Sequence, residues 1–144
     1  MNQTDKWATA ALRIHSTVLS AQKITEALKT EPTSIRVKGE LLSPRNPRSA
    51  VCEAHLWVLE SGLDARSSIE NHITQLVQFI EQKLPILEAL MKDCNIDLFC
   101  GYSSGSSQGG IMLEANLMKR LAIIPIDLMI DIYASEPRRR KKAG

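Results

Sequence analysis

The chain has 144 residues, of which 44% are hydrophobic and 24% are charged, and this ordinary composition of a globular domain excludes wholesale disorder. Its formal net charge is +2, but five of the 18 basic residues are the consecutive residues 138–142. Without them, 13 basic residues remain against 16 acidic ones, a net charge of −3. The body is therefore mildly acidic and the end of the chain strongly basic, so the overall charge does not indicate nucleic-acid binding by the body.

The three cysteines, Cys52, Cys94 and Cys100, include no CxxC pair, so they predict neither a disulfide framework nor a zinc site. We expect reduced thiols in a cytoplasmic protein. The first residues contain no long apolar stretch of the kind found in secretory signals. No apolar run approaches the roughly 20 residues that span a bilayer, so no contact with a membrane is expected.

The first half of the chain alternates between strand and helix patterns. The predicted elements are a strand over 8–15, a helix over 21–31, a strand over 34–38, a loop over 39–51 and a strand over 54–60. Ser20 is the predicted N-cap of the first helix, and Pro32 is expected to end it because proline cannot continue a helix. Ile35 and Val37 are expected to face the core.

The strongest pattern is a helix over 68–92, with apolar residues at spacings of three and four. Ser67 and Glu70 fit a capping box at its start. Pro85 interrupts the pattern and predicts either a kink or two helices that meet end to end.

The remaining elements are shorter. They are a strand over 95–100, a loop over 101–110, a short strand over 111–114, a helix over 115–124 and a strand over 126–134. The loop is rich in glycine and serine, a composition typical of a hairpin connection.

This element order predicts a single α+β domain over 1–134, followed by a basic tail over 135–144. Its first six elements have the ferredoxin-like order βαββαβ, extended by a further βαβ arm. Because the strands alternate polar and apolar residues, we expect the helices mainly on one face of a largely antiparallel or mixed sheet.

Several landmarks of the chain resemble a bacterial family of unknown activity, domain of unknown function 4279. They are residues 31–33 and 38–39, the segment 56–63 with Trp57 and Ser61-Gly62, His72, the segment 100–102 before a glycine-rich loop, and residues 127–133. The resemblance covers about residues 7–134 and implies a small cytoplasmic protein. It carries no known catalytic residues, and the basic tail and Pro85 lie outside its pattern.

The uncovered face of the predicted sheet is the first candidate site. By alternation it would carry Arg13, His15, Trp57, Asp97, Phe99, Asp127, Asp131 and Tyr133. Aromatic rings and carboxylates together suit a surface that binds a ligand or partner. The alternative is a solvated face whose rings pack against one another, which is routine in antiparallel sheets.

A metal site finds little support in the sequence. Asp127 and Asp131 share a face but lie about 13 Å apart along a strand, too far to share one ion. Asp97 could complete a site only if its strand lies beside theirs. We therefore assign no metal and no cofactor.

The loop over 101–110 is a second candidate, with Tyr102 as its aromatic residue. Its backbone amides could hold a phosphate, but it lacks the Gly-Lys-Ser/Thr ending of a P-loop. Nucleophilic catalysis finds no GxSxG or cysteine motif. His72 borders the apolar stripe of the long helix, so a packed or capping histidine is favoured over a catalytic one.

These observations favour a small cytoplasmic binding or protein-interaction module, for example an immunity-type protein that masks a toxin. Two alternatives stay open. One is a nucleic-acid-associated protein with weak, non-specific contacts through Arg138, Arg139, Arg140, Lys141 and Lys142. The other is an enzyme with a site near the 101–110 loop and the 127–133 strand. A homodimer through the uncovered face or an edge strand is a further expectation.

Overall fold

A computed structural model describes residues 6–134, which form five strands and three helices. In chain order they are β1 (Trp7–Ser16), α1 (Ala21–Leu28), β2 (Ser34–Arg36), β3 (His55–Glu60), α2 (Ile69–Leu90), β4 (Asn95–Ser103), α3 (Ala115–Ile123) and β5 (Asp127–Ile132). The fold is therefore α+β.

The five strands form one mixed sheet in the order β2-β3-β1-β4-β5. All neighbouring strands are antiparallel except β4 and β5, which are parallel. A parallel pair cannot be joined by a tight hairpin, and here the connection runs through α3. The long strand β1 lies at the centre, so its side chains sit in the middle of both sheet faces.

One face of the sheet forms the core with the helices. Alternation along β1 buries Ala8, Ala10, Leu12 and Ile14, while the residues between them are half-buried or exposed. All three helices contribute buried side chains to this core. Each fully buried leucine or isoleucine contributes about 1.5–3 kcal/mol to folding, so this face holds the domain together.

The helix α1 begins as predicted but ends earlier. The Ser20 side chain caps its start by accepting a hydrogen bond from the Lys23 amide at 3.2 Å. Its end is at Lys29, which adopts a left-handed conformation with φ of 53°. The prediction that the helix continues to Pro32 is therefore wrong, because the chain turns before proline can stop it.

The helix α2 is continuous across Pro85, so the alternative of two helices meeting end to end is wrong. The predicted capping box is also wrong by one residue. Ser68 is the N-cap and accepts from the Asn71 amide at 3.1 Å. The Glu70 carboxylate instead accepts from the Glu114 amide at 2.8 Å and so links the start of α2 to the start of α3.

Two further expectations fail in the segments around the sheet. Residues 111–114 form no strand, since Ile111 and Leu113 pack against the core and Glu114 is the N-cap residue of α3. Ile35 does not face the core but is 50% exposed, because β2 is a three-residue strand at the sheet edge. Within residues 6–134 no helix combines the length and the apolar character needed to cross a membrane.

Candidate functional site

We call the sheet face that points away from the helix-covered core the open face. The strand register arranges its residues in rows across β1, β4 and β5. One row contains Arg13, Asp97 and Asp127, and the next contains Ala11, Phe99 and Met129. Side chains directly opposite each other in a sheet lie about 4.5–5.5 Å apart at Cβ. The predicted residues Asp97, Phe99 and Asp127 are therefore brought together.

Arg13 contacts both Asp97 and Phe99 on this face. Its guanidinium donates two hydrogen bonds of 2.8 Å to the two carboxylate oxygens of Asp97. It also lies over the Phe99 ring, with Cζ 4.2 Å from the ring centroid. The bidentate pair fixes the geometry of both side chains, and the ring contact adds a cation–π interaction.

The Arg13–Asp97 ion pair uses the carboxylate that the metal site considered from the sequence would need. Asp97 does lie beside Asp127 in the register, as such a site would require. Its carboxylate is, however, already bound on both oxygens by Arg13. Residues 6–134 contain no group of three side chains of the His, Cys, Asp or Glu type that could hold a metal ion.

The β5 side of the open face is both apolar and acidic. Met129 is 54% exposed and Tyr133 is 49% exposed, and both flank the exposed carboxylates of Asp127 and Asp131. We call these four residues the acidic edge. The two ion pairs within residues 6–134 involve other carboxylates, those of Asp97 and Glu81.

An aromatic pair ends the acidic edge. The rings of Trp7 and Tyr133 lie 5.0 Å apart at a tilt of 49°. They meet beside Gly101, where an added Cβ would lie 2.9 Å from Thr9 Oγ1 and 3.0 Å from Trp7 Cζ3. Hydrogen bonding to Asp131, together with the charge of that carboxylate, raises the pKa of Tyr133.

Trp57 does not lie on the open face, so its predicted placement there is wrong. It pairs with Ile14, points to the helix side and is 0% exposed. Its indole N–H donates to Thr25 Oγ1 of α1 at 3.0 Å. The alternation along β3 buries the largest ring of the strand against the helices, which removes more apolar area from water than the other register would.

Tyr102 is also buried, so its predicted role as a surface group of the loop is wrong. It belongs to β4, which continues to Ser103. Its hydroxyl donates to the Gly110 carbonyl at 2.9 Å and so ties the glycine-serine loop to the sheet. That loop connects β4 to α3 and is not the predicted hairpin.

His72 is packed, in agreement with the sequence. It is 1% exposed, and its Nδ1 lies 2.5 Å from Ser61 Oγ in the turn that follows β3. Its Nε2 has no hydrogen-bond partner within the described residues. Burial lowers the pKa of His72, against an opposite effect of the Asp64 backbone and carboxylate. Sequence spacing gave no signal that Ser61 would be its partner.

The remaining nucleophile candidates are poorly suited to catalysis. Cys52, Cys94 and Cys100 are free and buried. Burial raises the pKa of the Cys100 thiol to about 12, and burial also raises the pKa of Cys94. A thiolate is the reactive form, so neither group is activated. On the open face, burial followed by the charge of Arg13 lowers the pKa of His15.

Comparison with known families agrees with the family resemblance found in the sequence. The family described as Domain of unknown function (DUF4279) matches residues 5–135. The chain belongs to this family. Searches of curated proteins and of solved structures found no match.

The DUF4279 match ends before the basic segment. Arg138, Arg139, Arg140, Lys141 and Lys142 follow its last matched residue and lie outside the described residues. The boundary predicted between a domain over 1–134 and a tail stays a prediction, as does any contact of these residues with nucleic acid.

Proposed function

We propose that this DUF4279 protein is a small cytoplasmic interaction module that binds another protein through the acidic edge of its open face. The observation that carries the proposal is the exposure of Met129 and Tyr133 next to the exposed carboxylates of Asp127 and Asp131. Exposed apolar groups framed by charges are typical of protein-binding surfaces.

The charges of the acidic edge define the partner's chemistry. Arg13 neutralises Asp97, whereas Asp127 and Asp131 belong to neither ion pair of residues 6–134. A complementary surface would present lysine or arginine side chains around an apolar centre, since potentials of opposite sign speed association and exclude wrong partners. A protein that masks a basic toxin surface, as an immunity-type protein does, fits this description by analogy.

A second copy of the chain fits this edge less well. A two-fold interface places the same patch on both sides, so Asp127 and Asp131 of the two copies would lie close together. Like charges brought together in this way oppose association. The charge pattern thus favours a different, basic protein over a homodimer through this face.

We also infer that β1 to β4 with α1 and α2 form a ferredoxin-like unit, to which α3 and β5 are added. The order β2-β3-β1-β4 with antiparallel neighbours supports this inference. In such an arrangement both crossover helices cover one face, which leaves the other face free for binding.

The proposal is tested by affinity measurements after the partner has been captured from the native cell. The double variant Asp127→Asn and Asp131→Asn should bind it about 10-fold more weakly, because each lost charge pair is worth up to about 1 kcal/mol at an exposed site. The difference should shrink at high salt, which screens exposed charges. Glu88→Asn on the exposed side of α2 is the control and should bind like the wild type. Equal affinities of all three proteins would overturn the proposal.

A further inference from the structure

A depression of about 560 Å³ lies on the open face, where β3 ends next to β1. Its volume is within the range of about 300–1,000 Å³ typical of ligand sites. Its lining includes apolar side chains of both sheet and turn, those of Val58, Leu63 and Phe99. It also reaches past the sheet to His72 of α2. The depression is therefore continuous from the open face to the helix layer.

The strand register explains the shape. Ala11 of β1 pairs with Glu60 on one side and with Phe99 on the other. Strands lie about 4.8 Å apart, so the Glu60 and Phe99 backbones are separated by about 10 Å across a small alanine. Ala11 thus forms the floor of the depression, with the exposed Glu60 carboxylate on one side and the Phe99 ring on the other.

The charge of the depression is negative. Arg13 is the one cation among its lining residues, and its guanidinium is bound by Asp97. Glu60 takes part in neither of the ion pairs formed within residues 6–134. The Glu60 carboxylate therefore attracts a cation, while Phe99, whose ring face is already in contact with Arg13, supplies apolar surface.

A second polar feature lies at the inner end. The buried His72 has an unpartnered Nε2 within the described chain, although buried polar atoms are usually paired. Either ring nitrogen can carry the proton in the Ser61–His72 contact, so Nε2 gives the depression a polar inner end without selecting a donor or an acceptor. A lysine ammonium carries three donors and no acceptor, so it matches the Glu60 carboxylate, which only accepts.

We propose that this depression is an anchor site that takes a lysine side chain of the protein partner, with Glu60 binding the ammonium and Val58, Leu63 and Phe99 contacting the methylene stem. The inference rests on the proposed function, since it names one contact of the same open face. Lysine suits the site because its apolar stem packs along hydrophobic walls while its charged end stays near a carboxylate. Glu60 is a binding residue in this account and has no catalytic role.

The test uses two probes of nearly equal shape, Nα-acetyl-lysine methylamide and Nα-acetyl-norleucine methylamide. Amide resonances of Ala11 and Gly62 are followed by NMR during titration of the full chain. The lysine probe should bind about fivefold more tightly than the norleucine probe, as expected for one exposed charge pair. Glu60→Gln should remove that difference, whereas Glu53→Gln, an exposed carboxylate outside the depression, should preserve it.

Two outcomes would overturn the anchor site. One is equal binding of the two probes to the wild-type chain. The other is a captured partner whose affinity falls in the Asp127→Asn and Asp131→Asn variant but is unchanged in Glu60→Gln. The second result removes the anchor site and leaves the proposed function standing. Glu60→Gln should unfold at the same temperature as the wild type. A loss of binding by this variant is then not caused by a loss of folding.

Discussion

Gly101 of the open face has no space for a side chain. The Thr9 hydroxyl and the Trp7 ring lie where a side chain would begin, at 2.9 and 3.0 Å from an added Cβ. Because β1 and β4 are paired at this point, neither neighbour can move away without disturbing the sheet.

We therefore expect Gly101→Ala to lower the free energy of unfolding by about 1–3 kcal/mol, the usual cost of overpacking. Gly110→Ala is the matched control, since an added Cβ there meets nothing within 4 Å. Urea denaturation of the two variants checks this. Equal stability of both would mean that the ring pair of Trp7 and Tyr133 is not held against the sheet.

His72 gives the domain a pH-dependent contribution to stability. Burial lowers its folded pKa below the ordinary value of 6.5, so between the two pKa values the unfolded chain binds more protons than the folded one. Stability is then fully present above pH 6.5 and is lost as the pH falls towards the folded pKa.

The variant His72→Asn should remove this dependence. It should be less stable than the wild type at pH 8, and its stability should fall less between pH 6.5 and 5. The lowered pKa of His15 contributes equally in both proteins and cancels in the comparison. Urea denaturation at several pH values measures the two slopes. Parallel slopes would show that His72 is not the buried titrating group.

At the scale of elements, hydrophobic periodicity predicted the long segments well. The β1, α2 and β5 patterns each run for at least six residues, and the structure has all three elements. Short segments were less predictable. Residues 111–114 contain apolar groups that pack on the core without joining a strand, and periodicity cannot distinguish these two outcomes.

The site was predictable where alternation alone decides the face. It placed Asp97, Phe99, Asp127 and Asp131 on one face, as the register has them. Alternation failed for Trp57. It sorts the residues of a strand into two sets, but tertiary packing decides which of the two sets faces the helices. The Ser61–His72 contact joins a turn and a helix, so no local pattern could reveal it.

The helix α2 carries an internal proline that weakens it. Pro85 has no N–H to donate to the Glu81 carbonyl four residues earlier, and its side chain is exposed. Pro85→Ala should raise the free energy of unfolding by about 1–3 kcal/mol, because proline costs about 3 kcal/mol in a helix interior.

Differential scanning calorimetry would show this as a higher Tm. Pro44→Ala in the loop before β3 is the control and should leave the Tm unchanged or slightly lower, since a more flexible loop loses more entropy on folding. A lower Tm for Pro85→Ala would mean that the proline shapes α2 to fit the core.

At the scale of the whole molecule, the two faces of the sheet have separate tasks. The helix-covered face contains the apolar core and supplies the stability. The open face carries the Arg13–Asp97 pair, the depression beside Glu60 and the acidic edge. Substitutions on the open face away from Gly101 should therefore change binding with little effect on folding.

Site-specific photo-cross-linking in the native cell is the most direct test of whether the partner binds through the open face. A photoreactive phenylalanine derivative replaces Met129 on the acidic edge in one protein and the exposed Gln75 of α2 in another. We predict that the Met129 position cross-links to one basic protein through a lysine- or arginine-rich surface, and that the Gln75 position does not. Cross-linking of that protein from Gln75 alone, or of neither position to any protein, would contradict binding through the open face.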